Sequence, residues 1–178
     1  VKTRAENHST PLPFLKDGIA QVGLVVPELE RAVEAWWKLF GVGPWHFYTY
    51  GKPLVTRMSY RGRRVEYRMR IALSWIGPLR IELIEPLGGP TVYAEFVKEH
   101  GHGVHHFGVL VQEMEEAIRR AEEAGLAMTM DGAGFGLKGD GHYAYLETER
   151  LLGTTIELIQ RPEGRIAPEK IYPPPPEG

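Results

Sequence analysis

Ile81-Glu82-Leu83-Ile84 recurs unchanged further along the chain as Ile156-Glu157-Leu158-Ile159. Each copy closes a block that opens on a β-type run, Gln21-Val22-Gly23-Leu24-Val25-Val26 in the first and His106-Phe107-Gly108-Val109-Leu110-Val111 in the second. Each run leads into a helical stretch that ends at glycine: residues 28–40 before Gly41, and residues 114–124 before Gly125. Leu29, Ala32, Val33 and Trp36 in one, and Met114, Ala117, Ile118 and Ala121 in the other, recur at three- and four-residue intervals, so each helix can cover one face of a sheet. Further strand-like material lies at residues 45–50, 55–60 and 65–75 in the first block, and at 128–130 and 143–147 in the second. An internal repeat of this kind decides the fold class. We expect an α+β fold in which two βαβββ modules form a curved, mostly antiparallel sheet around a cup, with the helices outside.

The expected domain plan follows from the repeat. An N-terminal arm spans residues 1–17, one domain spans 18–160 (module one 18–86, a linking helix 91–100, module two 103–160), and a proline-rich tail spans 161–178. Pro162, Pro168 and the run Pro173 to Pro176 favour extended geometry and lack backbone donors, so the tail should be surface-bound or disordered and bury little. A chain of 178 residues suits a single core, and 43% apolar with 25% charged residues is globular composition. The net charge of −2 and pI near 6.4 provide no positive field for a polyanion, which leaves small molecules as the expected partners rather than nucleic acid. Cysteine is absent, so any metal must be held by His, carboxylate or amide groups. No apolar run approaches the roughly 18 residues of a membrane span, and residues 1–17 lack the hydrophobic stretch of a signal peptide; the expected location is cytoplasmic, with no membrane partner.

Strand alternation selects four polar residues. Val22, Leu24 and Val26 point one way and Gln21 the other; the same alternation separates His106 from Phe107, Val109 and Val111, and each repeated glutamate from its apolar neighbours. Singly, each is an ordinary solvent-facing residue of a half-exposed sheet. Their equivalent placement, Gln21 with His106 and Glu82 with Glu157, raises the joint expectation of a site. One imidazole, two carboxylates and one amide oxygen suit a single divalent metal ion such as Zn, Ni, Co, Mn or Fe.

These paired blocks, together with Gly103-Val104-His105-His106-Phe107-Gly108, resemble the vicinal-oxygen-chelate superfamily over residues 18–160. The resemblance implies Gln21, Glu82, His106 and Glu157 as metal ligands, a set that matches in type that of eukaryotic glyoxalase I. Methylmalonyl-CoA epimerases usually start with His where this chain has Gln21, although the Val104-His105-His106 block and the helix before it look more like the epimerases. Extradiol dioxygenases of the superfamily use two His and one Glu, which Gln21 argues against. The implied activity is that of an isomerase, epimerase or lyase that moves a proton next to a carbonyl through a metal-chelated enediolate. Its substrate would be a small molecule such as a thioester or CoA ester, and a homodimer is expected. Glu157 resembles the glyoxalase base and Glu66 sits at a spacing similar to that of the epimerase base. The alternatives are a metal-free binding or resistance protein on the same scaffold and a ring-cleaving dioxygenase.

Other constellations give further expectations. Arg57 and Arg68 belong to an arginine-rich hairpin that either grips an anionic substrate or charges a sheet edge. Trp45, His46, Phe47, Tyr48 and Tyr50 alternate along one strand, and Trp45 and Tyr48 are expected to wall a substrate pocket. His100, His102 and His105 fit no closed zinc spacing and are read as supporting or surface residues. Residues 132–136, rich in glycine, are expected to form a mobile rim or lid.

Overall fold

The structure is a computed structural model and describes residues 11–176. The first repeat contains β1 (Gln21–Val25), α1 (Leu29–Phe40), β2 (Trp45–Tyr50), β3 (Arg57–Tyr60), β4 (Arg63–Arg64), β5 (Arg68–Ile76) and β6 (Leu79–Gly88). Helix α2 (Val92–His100) links it to the second, which contains β7 (Gly103–Leu110), α3 (Met114–Glu123), β8 (Met128–Phe135), β9 (Gly141–Leu146), α4 (Glu149–Leu152) and β10 (Thr155–Gln160). A last strand, β11 (Lys170–Tyr172), follows. Of the arm expected over residues 1–17, residues 1–10 lie outside the described part; Pro13–Leu15 form a 3-10 turn, and Phe14 packs beneath α3.

The described strands form one mixed, strongly curled sheet in the order β11-β2-β5-β6-β1-β7-β10-β9-β8-β3-β4. In each repeat the first strand pairs in parallel with the last, β1 with β6 and β7 with β10, and the repeats join where β1 meets β7 antiparallel. The α+β architecture with helices outside is therefore as expected, and a single chain builds the whole cup. Strand β3 departs from its own repeat: it pairs with β8 of the other, and extends the sheet beyond that edge.

Alternation sorts the apolar residues into layers. Ile81 and Leu83 of β6 pack outward with Leu29 and Val33 of α1, while Ile156 and Leu158 of β10 pack outward with Met114, Ala117 and Ala121 of α3. Helix α1 stops at Gly41, which takes the left-handed conformation (φ 66°) that a residue with a Cβ disfavours. The concave side holds a third cluster, including Val25, Tyr48, Ile71, Ile84, Tyr93, Tyr143 and Tyr145. Part of the cup is thus filled by the protein's own aromatic core.

Two expectations are corrected here. Residues 132–136 are not a free rim: all but Gly136 belong to β8, paired with β9, and Gly132 lets the strand pass Tyr143, whose hydroxyl would lie 2.3 Å from an added Cβ. The tail is not a passive appendage either. Lys170–Tyr172 pair with residues 45–47 of β2, and Glu169 accepts from the backbone and hydroxyl of Thr49 at 2.8 and 3.0 Å. The prolines flank this strand instead of occupying it, which leaves its donors intact. Between β10 and β11 the chain crosses the mouth of the cup, with Leu137 donating to the Gly164 carbonyl and Ile166 packed on the concave cluster. Deleting residues 163–178 should therefore cost roughly 2 kcal/mol, several degrees in melting temperature. A melt indistinguishable from that of the full chain would show that the strap contributes no stability.

Candidate metal centre and its pocket

Two rows of residues cross the four central strands. In one, Gly23 of β1 lies in register between Glu82 of β6 and His106 of β7; in the other, Gly108 of β7 lies between Gln21 of β1 and Glu157 of β10. The repeat makes the rows equivalent. Each glycine is the low point over which its neighbours lean. A Cβ on Gly23 would stand 1.9 Å from His106 Cε1, and one on Gly108 would stand 2.9 Å from Gln21 Cβ and 3.0 Å from Glu157 Oε2. Neither glycine was singled out from sequence, although both recur at the same place in the two opening runs.

The four residues expected as ligands meet there, all nearly or fully buried. His106 Nε2 lies 3.1 Å from Glu157 Oε2 and 3.5 Å from Glu82 Oε2. The donor atoms of these three residues lie within 4.8 Å of one another, so the set can hold a metal ion. Gln21 reaches the same centre through its amide nitrogen, which donates to Glu157 at 2.8 Å and Glu82 at 3.1 Å. Its oxygen is turned away and accepts from Arg80 Nε.

Burial alone would lower the His106 pKa, but the two carboxylates beside it win and raise it to about 9. Burial raises Glu82 above the usual carboxylate range. Behind His106, burial and the neighbouring imidazole depress His105 to about 2, so His105 is neutral at any physiological pH. The two Nδ1 atoms are 3.0 Å apart. One must carry the hydrogen; with a proton on His106 Nδ1 donated to His105, His106 Nε2 holds its own proton toward the carboxylates, and loss of that proton exposes the lone pair a ligating histidine needs.

Glu82 and Glu157 face a pocket walled by Tyr48, Tyr50, Phe135 and Tyr143 and by Arg80, Arg161 and Arg165, with a cavity volume of about 60 Å³. Of the other residues expected in the site, Tyr48 lines this pocket and four do not. Trp45 is fully buried on the opposite face beneath α1, because strand phase puts residues 45 and 47 outward and 48 and 50 inward. Arg57 is paired with Glu115 at 3.3 Å on the outer edge, and Arg68 is exposed on β5. Glu66 is an exposed partner of Lys52, away from the cup. Arg80, Arg161 and Arg165 were missed: the first was hidden beside a turn, the others in a tail read as surface.

Two outcomes are expected. Gly23→Ala should destabilise the fold by about 3 kcal/mol, since a ring in a filled interior must give way, and should lower bound divalent metal; a variant that melts and loads like the parent would refute the packing argument. The second concerns pH. A raised His106 pKa contributes stability that is complete below about 6.5 and lost as pH rises through about 9, and the raised Glu82 acts with the same sign. Metal-free protein should therefore melt lower at pH 9 than at pH 6. Divalent metal should stabilise it more at the higher pH, because its ligands must shed protons. Calorimetry at both pH values, with and without metal, checks the crossing.

Comparison with known proteins agrees with this architecture. No curated relative matches the sequence. Among solved structures, methylmalonyl-CoA epimerase from Mycobacterium tuberculosis is 20% identical, with 89% of this chain and 96% of that one covered at a TM-score of 0.58. Hypothetical protein BH1468 from Bacillus halodurans is 22% identical, covering 83% and 96% at 0.57. A Streptomyces coelicolor methylmalonyl-CoA epimerase variant in complex with 2-nitronate-propionyl-CoA is 18% identical, covering 83% and 96% at 0.58. At these identities the likeness is one of fold. A family model matches residues 20–145, through both opening runs and most of the sheet, and on that match the chain belongs to the Glyoxalase/Bleomycin resistance protein/Dioxygenase superfamily.

Proposed function

We propose that the protein is a divalent-metal-dependent isomerase, epimerase or lyase that moves a proton on the carbon next to a carbonyl. The observation that carries this reading is the convergence of Glu82, His106 and Glu157 on one buried point, with both carboxylates also facing the pocket. A divalent ion held by these three residues supplies Lewis acidity, which makes such a carbon-bound proton removable near neutral pH. Gln21 serves as a fourth ligand only once its amide turns its oxygen inward, which requires Arg80 to release it.

The chain's own groups do the rest. Glu157 takes and returns the proton, since it and Glu82 are the carboxylates lining the pocket and Glu66 is too far out on the surface to serve. His105 fixes the His106 ring. Tyr48, Tyr50, Phe135 and Tyr143 exclude water around the reacting carbon. The solved relatives with CoA-ester names support a thioester as the substrate class. The second reading, a metal-free binding protein, draws on the Gln21 amide, whose nitrogen already donates to both carboxylates while its oxygen accepts from Arg80.

Solvent deuterium should enter a 2-hydroxy thioester or a malonyl-type CoA ester at the α-carbon in the metal-loaded protein, with no oxygen consumed. Glu157→Gln should lower that exchange by about 10²-fold or more, and Glu66→Gln should leave it unchanged. Oxygen uptake, or protein that takes up no divalent ion, would overturn the proposal.

A further inference from the structure

Four arginines elsewhere on the surface pair with carboxylates, Arg57 with Glu115, Arg61 with Glu95, Arg70 with Glu30 and Arg119 with Glu116, while exposed ones such as Arg63, Arg64 and Arg68 are left to solvent. The three that line the pocket are set apart by their convergence on one cavity, and Arg80 by its burial. Among the described residues no carboxylate comes within ion-pair distance of Arg80, Arg161 or Arg165, and the contact made by Arg80 is to the neutral Gln21 oxygen. Arg80 is only 7% exposed. A solvated guanidinium needs no counter-charge, but a buried one is costly unless something anionic meets it. Arg161 and Arg165 stand exposed on the strap, close enough to Arg80 that the three repel one another: partial desolvation and then the charges of Arg80 and Arg165 lower Arg161, and partial desolvation and then Arg80 lower Arg165.

Their origins make chance crowding a poor account. Arg80 comes from β6, two residues from Glu82 and on the same concave face, whereas Arg161 and Arg165 come from the strap that crosses the mouth. That strap is fixed at both ends, by Glu163 and Gly164 on the residues 137–140 turn and by β11 on β2, and Arg165 lies over the Trp75 ring at 5.8 Å. The carboxylates at the base are already engaged with Gln21 and His106. The arginines are left facing the remaining space.

We propose that the pocket binds a substrate bearing an oxyanion, a carboxylate or a phosphate, gripped by Arg80, Arg161 and Arg165 beside the Glu82–His106–Glu157 cluster. The proposal deepens the functional reading by naming the substrate's charge, and it rests on that reading only in placing substrate in this pocket. Guanidinium groups are suited to the task because their planar forks bond two oxygens of one anion. With the anion held at the mouth side, Tyr48, Tyr50, Phe135 and Ile166 surround whatever joins it to the reacting carbon.

The test uses succinate, inorganic phosphate and neutral succinamide as probes, titrated calorimetrically at low ionic strength into the metal-free full chain and then the metal-loaded one. One or both anions should bind to metal-free protein and succinamide should not; whichever anion binds tighter tells carboxylate from phosphate. Arg161→Gln and Arg165→Gln, both on the accessible strap, should each weaken that binding about tenfold or more. Arg61→Gln, paired with Glu95 outside the pocket, should change nothing. Equal binding of succinamide, or unchanged anion binding in both strap variants, would overturn the proposal. If the protein takes up no divalent ion yet keeps arginine-dependent anion binding, the proton-transfer reading falls and this one stands; metal uptake and deuterium exchange without arginine dependence give the reverse.

Discussion

The site depends on two places where the sheet has no side chain. Neighbouring strands sit about 4.8 Å apart, so ordinary residues in a row would fill the concave surface edge to edge and hold their polar groups apart. With Gly23 and Gly108 in the middle of the two rows, the His106 ring lies across one gap while Gln21 and Glu157 close over the other. Both glycines have ordinary extended backbone, so what they provide is room, not conformational freedom. Duplication makes the vacancy twice over, and the polar quartet is its consequence.

Much of this was legible in the sequence because it rests on periodicity. The repeated Ile-Glu-Leu-Ile fixes two strands, and alternation within them puts Glu82 and Glu157 on the face opposite Ile81, Leu83, Ile156 and Leu158 without knowledge of any neighbour. Strand phase was harder where both faces are apolar. On β2, Trp45 and Phe47 belong beneath α1 and Tyr48 and Tyr50 in the cup, a choice settled by what each packs against. Contacts between distant segments left no periodic trace at all. The pairing of β3 with β8, the docking of β11 on β2 and the meeting of Arg80 with Arg161 and Arg165 depend on how the sheet curls.

Charge is arranged in depth. The base of the pocket gathers two carboxylates around one imidazole, an arrangement in which burial and mutual attraction keep a proton between them. Nearer the mouth the sign reverses to three guanidinium groups. Gln21 joins the layers, its amide donating inward to carboxylates and accepting outward from Arg80. A neutral amide can bridge opposite charges because it offers both polarities; a carboxylate at position 21 could only accept.

The strap also orders events in time. Chains emerge from the ribosome N-terminus first, and a domain generally folds as a unit. Both repeats, with the glycine gaps and the ligand cluster, precede residue 161, so the strands that build the cup leave the ribosome ahead of Arg161, Arg165 and β11. Until β11 finds β2, a nascent protein has the chemistry-bearing end of its pocket without two of its three arginines. Scaffold comes first in this chain, and the arginine-bearing strap follows it.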